Sequence, residues 1–251
     1  MKRILNIIII LLITLTLTAC FDLNNYTPQN NNEVYAPSIT LEENEFINLI
    51  EDLKPSNVAI TSLDSDNKEQ RASGVIVKKE SKTLSNTYYV ITVMEVAFES
   101  SDIKIYIRPS KYFNGTLLNP VNSYEPGDEV VAVLKFEASE ELPAINLIPY
   151  PNEYNKLITN TIFSIGTPVS NGYFNYVTNP AAIMGIRENI IVHGTNLNYG
   201  DLGSPLYLKE TGMLIGINIK YSTTTSNNRP EVLVNQAIIV NRVIELVEGI
   251  I

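Results

Sequence analysis

The sequence predicts an all-β protein built as two small barrels in tandem, with a short helix before them and another after them. Three observations carry this. From Ser56 to Val240, short runs of β-branched and aromatic residues alternate with turn signals, as in a barrel or sandwich. Apolar residues take up a helical period at two places, Leu41–Leu53 and Val240–Ile251. No repeat of about 20–50 residues is present, which sets aside a solenoid or a propeller.

Taken in order, the chain opens on a segment that does not belong to the fold. Met1, Lys2 and Arg3 form a basic start, Ile4–Leu17 is almost wholly apolar, and Leu17-Thr18-Ala19-Cys20 closes the stretch. A basic start, a short apolar run and small residues at the cut describe a secretory signal over residues 1–19. The run is too short for a comfortable membrane span, which needs about 20 apolar residues. Leu-Thr-Ala-Cys resembles the lipobox of bacterial lipoprotein signals, which implies cleavage before Cys20 and acylation of its thiol. Cys20 is the only cysteine, so no disulfide can form within the chain. Two or more acyl chains give stable anchoring where one does not. The expectation is therefore a protein held by lipid at the extracytoplasmic face of a cell membrane.

Residues 20–40 read as a flexible tether: Asn-Asn-Tyr-Thr-Pro-Gln-Asn-Asn-Asn-Glu is polar, lacks an apolar period and cannot bury a core. Leu41–Leu53 places Phe46, Ile47, Leu49, Ile50 and Leu53 on one helical face, and Pro55 ends the helix. Strands are predicted at Ser56–Leu63, Ala72–Lys79, Tyr88–Val93, Ile103–Pro109 and Glu129–Glu137, in a first barrel over about 56–140. A second barrel over about 155–240 would hold Thr161–Ile165, Tyr173–Val177, Ala181–Arg187, Ile190–Gly194, Pro205–Leu208, Gly212–Lys220 and Gln236–Val240. The domain thus spans residues 41–251.

Charge narrows the partners. The formal net charge is −9 before the signal takes away two of the positive residues. An acidic domain argues against nucleic acid, whose phosphates demand Lys/Arg patches. The same acidity argues against a second, electrostatic grip on anionic lipid.

Five segments then resemble, in order, the trypsin-like serine peptidases of the HtrA/Deg type. Ala72-Ser73-Gly74-Val75-Ile76-Val77 is similar to that family's Gly-Ser-Gly-Val-Ile-Ile strand. Tyr88-Tyr89-Val90-Ile91-Thr92 is similar to the strand that leads to its catalytic histidine. Tyr199-Gly200-Asp201-Leu202-Gly203-Ser204-Pro205-Leu206 resembles the nucleophile loop, and Met213-Leu214-Ile215-Gly216-Ile217-Asn218 the strand after it. Ala237-Ile238-Ile239-Val240-Asn241-Arg242-Val243 resembles the approach to the closing helix. The resemblance covers about residues 56–251 and implies two six-stranded β-barrels. The family's PDZ domain has no counterpart in this chain.

The chemistry does not follow the fold. Serine-peptidase catalysis needs a hydroxyl nucleophile, an imidazole base and a carboxylate that orients the base. On the resemblance, the base position falls on Glu95, which is too weak a base for a serine hydroxyl. The aspartate position falls on Val130, with Asp128 and Glu129 just before it as shifted candidates. The nucleophile position falls on Leu202, which has no nucleophilic atom. Two residues could stand in. Ser204 lies two positions past Leu202, where the family has a glycine and where a serine before Pro205 ordinarily shapes a turn. His193 is the only histidine and aligns within the strand before the loop, away from the base position. Losing even one triad member costs several powers of ten in rate, so a pseudoprotease is expected. No cofactor is expected, because one His and no free Cys exclude a conventional zinc site. EF-hand spacing and a strand-to-helix Gly-rich loop are missing too.

The resemblance implies a remaining use for the groove. An extended peptide pairs, in the family, near the strand that here reads Gly216-Ile217-Asn218-Ile219, through main chain alone. The amides of Gly200 and Leu202 could form an anion-binding nest. The leading expectation is a surface module that captures a peptide or partner protein. The alternatives are a divergent peptidase using Ser204 and His193, and a structural envelope lipoprotein with no ligand. A bulky Leu202 and Met94 pointing into the groove would favour the last. The sequence does not give the oligomeric state.

Overall fold

The computed structural model describes residues 41–151, 154–168, 174–221 and 234–251. The signal segment, Cys20 and the tether lie outside the described residues, as does Tyr173 at the start of one predicted strand. Helix α1 (Leu41–Leu53) runs into a 3-10 turn, Lys54–Ser56. Pro55 stands in that turn, where its missing N–H costs nothing.

The first sheet follows: β1 (Asn57–Leu63), β2 (Glu69–Ser81), β3 (Asn86–Val93), β4 (Ser101–Arg108), β5 (Lys111–Asn114), β6 (Thr116–Leu117) and β7 (Val131–Ala138). Its order is β5-β4-β1-β2-β3-β7-β6. The edge strands β5 and β6 are separated only by Gly115, whose N–H bonds to Ile103 O at 2.8 Å. One bent segment therefore spans from β4 to β7 and nearly closes the sheet. A Cβ on Gly115 would come within 3.0 Å of both Ile103 and Ile105, so the bend leaves little room for a side chain.

The second sheet holds β8 (Thr161–Gly166), β9 (Tyr176–Val177), β10 (Ala181–Arg187), β11 (Ile190–His193), β12 (Pro205–Leu208), β13 (Leu214–Lys220) and β14 (Asn235–Ile239). The order is β10-β11-β14-β13-β12-β8, and β8 pairs back to β10, closing a six-stranded barrel with β9 added outside. Helix α2 (Val240–Val247) ends the domain. The fold is the trypsin-type double barrel, all antiparallel.

Burial explains why the strands read as continuous apolar runs. On β7, Ala132, Leu134 and Phe136 face the interior of the first barrel, while Val131 and Val133 face the other way. The latter join Val75, Val77 and Ile91 against Phe163, Ile165, Tyr207, Ile217 and Ile238 of the second barrel. Both faces of these strands are thus dry, which removes the usual alternation with polar residues. Helix α2 seals the same interface with Val240, Val243 and Val247, and α1 adds Leu53 and Phe46. A separate core of Leu157, Ile162, Ile183, Ile191, Leu206 and Ile215 fills the second barrel.

Candidate functional site

Strand β3 ends at Val93 and hands over to the 3-10 turn Met94–Val96, which carries Glu95. Met94 is fully buried in the core of the first barrel and does not enter the groove. Glu95 is half-buried, and burial raises its carboxyl above the usual carboxylate range. Across from it, burial and then the Glu95 charge push the Tyr124 phenol up to about 12.

Val130, just before β7, packs against the first-barrel core and offers no oxygen. Neither neighbouring acid takes the aspartate's place beside Glu95. The Asp128 carboxylate accepts the Glu125 N–H at 2.8 Å and so caps its own turn. Glu129 accepts a hydrogen bond from Asn189 of the second barrel at 3.1 Å.

The loop Tyr199–Ser204 is fixed by its backbone. Gly200 and Gly203 adopt φ of +97° and +83°, in the left-handed region where a glycine has no steric penalty. Asp201 N–H bonds to Asn198 O, and Ser204 N–H bonds to Asp201 O, each at 3.0 Å. Two contacts fasten this loop to the first barrel: Ser73 N–H donates to Leu202 O at 2.8 Å, and Ser73 Oγ to Gly200 O at 2.8 Å. Leu202 itself lies half-buried against the first-barrel core.

Glu95, Gly200 and Leu202 do come together, with Arg71, Tyr199 and Tyr221, around a crevice of about 10 Å³. A single water needs about 10–15 Å³ of such space.

The two stand-in residues are elsewhere. Ser204 is fully buried inside the second barrel, sharing a hydrogen bond with Ser164 Oγ at 2.8 Å and accepting one from Asn218 Nδ2 at 2.9 Å. His193 is also fully buried, with Nδ1 at 2.9 Å from Thr195 Oγ1. Burial lowers its pKa to about 4, an effect that the Asn218 side chain partly opposes. Asn218 therefore stands between the serine and the histidine, and neither reaches the crevice. Asp201 is likewise fully buried, with one carboxylate oxygen accepting the Asn198 N–H at 2.8 Å and the other unpaired. Burial pushes its pKa up to about 6.

The expected peptide-pairing residues are already paired. Gly216 and Ile217 of β13 face Leu206 and Pro205 of β12 on one side, and Ile239 and Ile238 of β14 on the other. Asn218 N–H donates to Ser204 O at 3.0 Å, and Gly203 N–H donates to Asn218 O at 2.7 Å. An added strand has no main-chain groups to meet at Gly216–Asn218. The ladder with β12 stops at Ile217; on the β14 side Lys220 pairs with Gln236, and Ile219 falls in a bulge.

Sequence reasoning missed an open cavity of about 390 Å³ on the outer face of β1. Thr61, Arg71 and Lys104 line its floor, with Tyr106, Pro168 and Phe174 at its walls. No motif marks it. The only local signal is the polar alternation of β1, β2 and β4, which any solvated face would show.

Two antiparallel barrels, with the candidate loop at their junction, define the trypsin-like double-barrel class of structure. Among solved structures, the chain is similar to a serine endoprotease from Yersinia pestis, at 23% identity and a TM-score of 0.61, over 82% of this chain and 66% of that one. It therefore spans slightly less than two thirds of that protein's length. It is also similar to Rv3671c of M. tuberculosis H37Rv in an inactive serine-to-alanine form, at 20% identity and a TM-score of 0.56. That likeness covers 80% of this chain and 89% of the other. No family model and no curated protein matches the sequence.

Proposed function

We propose that this chain is a lipid-anchored extracytoplasmic protein whose double barrel no longer cleaves peptides and serves as a binding module for a polypeptide partner. The observation that carries the loss of activity is Leu202, packed into a crevice of about 10 Å³ beside Glu95. A bound peptide carbonyl would find no nucleophile there and no imidazole. The divergent-peptidase reading is disfavoured by Ser204 and His193, both fully buried and separated by Asn218. Anchoring rests on the Leu17-Thr18-Ala19-Cys20 lipobox alone.

The experiment is direct. The full chain is incubated with unfolded casein and mixed fluorogenic peptides, beside Ser204→Ala and His193→Ala variants. Cleavage that disappears in either variant would overturn the inactive reading. Metabolic labelling with radioactive palmitate, lost in Cys20→Ser, tests the anchor. A second reading, a structural envelope lipoprotein without ligand, is favoured by the closed crevice. It predicts that no peptide is retained anywhere on the domain.

A further inference from the structure

Strands β2, β1 and β4 lie side by side, and their register sets two outward rows. Thr61 pairs with Arg71 on one side and with Lys104 on the other. Residues directly opposite in antiparallel strands point to the same face, so two cations flank one hydroxyl. Two residues further along β1, Leu63 pairs with Glu69, and a bulge in β4 places Asp102 in the same region of the cavity. A row of positive groups thus stands next to a row of negative ones on the floor of the 390 Å³ cavity. That volume falls in the usual range of ligand sites, about 300–1,000 Å³.

The cations are available. Arg71 is paired with Glu69 and Lys104 with Asp102, in each case a neighbour two residues away on its own strand. The four side chains keep 45%, 51%, 28% and 47% of their surface exposed, respectively. Ion pairs this exposed are weak and exchange readily for a better-placed partner. Tyr106, Pro168 and Phe174 also line the cavity and supply apolar surface.

The geometry fits an extended chain. The floor runs from Ala59 to Leu63, a rise of about 13 Å at roughly 3.3 Å per residue. Side chains two apart on an extended peptide share one face at about 6.6 Å, the same spacing as the two charged rows. We propose that this groove binds an extended polypeptide through an acidic–x–basic pair. The acidic side chain seats between Arg71 and Lys104 over Thr61, and the basic one meets Glu69 and Asp102. The inference rests on the binding-module reading and moves its site from the closed crevice to the outer face of β1. Arg71 borders both spaces.

Fluorescence anisotropy of the full chain in detergent tests it, using short fluorescein-labelled peptides carrying Asp-x-Lys, Lys-x-Lys or Ala-x-Ala. Asp-x-Lys is expected to bind best and to weaken as salt is raised. Its affinity should fall at least about tenfold in an Arg71→Glu/Lys104→Glu variant, and similarly in Thr61→Trp, which fills the floor. Far-UV circular dichroism checks the folding of both. The exposed double reversal keeps the test decisive should Thr61→Trp misfold. Asp-x-Lys binding unchanged by the double reversal would overturn the groove while leaving the module reading intact. Retention of none of the three peptides would overturn both.

Discussion

Replacing Asp201 by Asn is expected to make the protein acid-labile between pH 6.5 and 4, where the parent is almost indifferent to pH. Two buried groups with opposite signs produce this. His193 has an ordinary pKa of 6.5, and burial lowers it to about 4 in the fold. As pH falls through this interval, the unfolded chain takes up a proton that the folded chain refuses, so stability drops. One pH unit of such a difference is worth about 1.4 kcal/mol, giving a loss of about 3 kcal/mol by pH 4. Asp201 moves the other way, from 3.8 up to about 6. Its folded form takes up the proton first as pH falls from 6, so stability rises by about 3 kcal/mol by the ordinary carboxylate range. Glu95, also raised by burial, adds to the sign of Asp201. The exposed acids held below their ordinary range by lysines, Glu80, Glu137 and Glu140, act only at the acid end of the interval. The parent therefore sums a loss and a gain of similar size. Removing the carboxyl in Asp201→Asn leaves the histidine loss of about 3 kcal/mol opposed only by Glu95. His193→Gln leaves the carboxyl gain alone and should be firmer at pH 4.5 than at pH 7. Urea unfolding followed by circular dichroism at half-unit steps reads both, provided the slope m is constant across the series. Parallel pH profiles for the parent and Asp201→Asn would refute the reasoning, since they would mean that Asp201 does not titrate in the window.

Other outcomes follow from single contacts. Leu202→Ser is expected to leave casein hydrolysis at background, because Glu95 supplies no imidazole; release of fragments above the buffer blank would contradict this. A Cβ at Gly203 would meet Ser73 O at 2.2 Å and Thr92 Oγ1 at 2.4 Å with φ at +83°. Gly203→Ala should therefore cost at least about 3 kcal/mol, a thermal midpoint lower by about 6–12 °C. Phe163 is fully buried between Tyr207, at 5.5 Å ring to ring, and Phe46, at 5.0 Å. Phe163→Ala should cost about 3–5 kcal/mol by urea titration, and a loss under about 1 kcal/mol would mean the barrel interface does not need that ring.

Most of the architecture could be read from the residues because its strands are dry on both faces. Val131–Phe136 is apolar at five of its six positions, and each side has a core to face. The edge segment β5–β6 escaped, because Lys111, Asn114 and Thr116 are polar and only the bend at Gly115 makes it a wall of the barrel. Strand β2 begins at Glu69, earlier than expected, since its first residues are held by pairing with β1 rather than by burial. The site was legible as far as local sequence goes: Glu95 and Leu202 do share a crevice. Pairing was not. Whether the backbone of Gly216–Asn218 is free depends on β12 and β14, which no pattern within the segment reveals. The burial of Ser204 and His193 is likewise set by tertiary packing, and the charged rows of the outer groove depend on the register of three strands.

Gly200 and Gly203, beside Glu95 and Leu202, invite the idea that the loop holds an anion, yet the contacts supply another reason for them. Gly203 has the backbone of Ser73 where a side chain would go, and Thr92 Oγ1 bonds to that same Ser73 O at 2.6 Å. Gly166 is pressed by Asp201, whose Oδ1 would sit 2.2 Å from a Cβ there. On the far side of the loop, Ser164, Ser204 and Asn218 lock it to the interior of the second barrel. The segment thus works as a rivet between barrels, with hydrogen bonds into the first and a buried polar cluster in the second. A rivet demands small residues at the same positions that an oxyanion hole does, and it demands no nucleophile. Leu202 suits such a rivet, since its side chain adds apolar contact with the first-barrel core. Structural contacts alone thus account for the loop's small residues, and the open, charged face of the domain lies instead at β1.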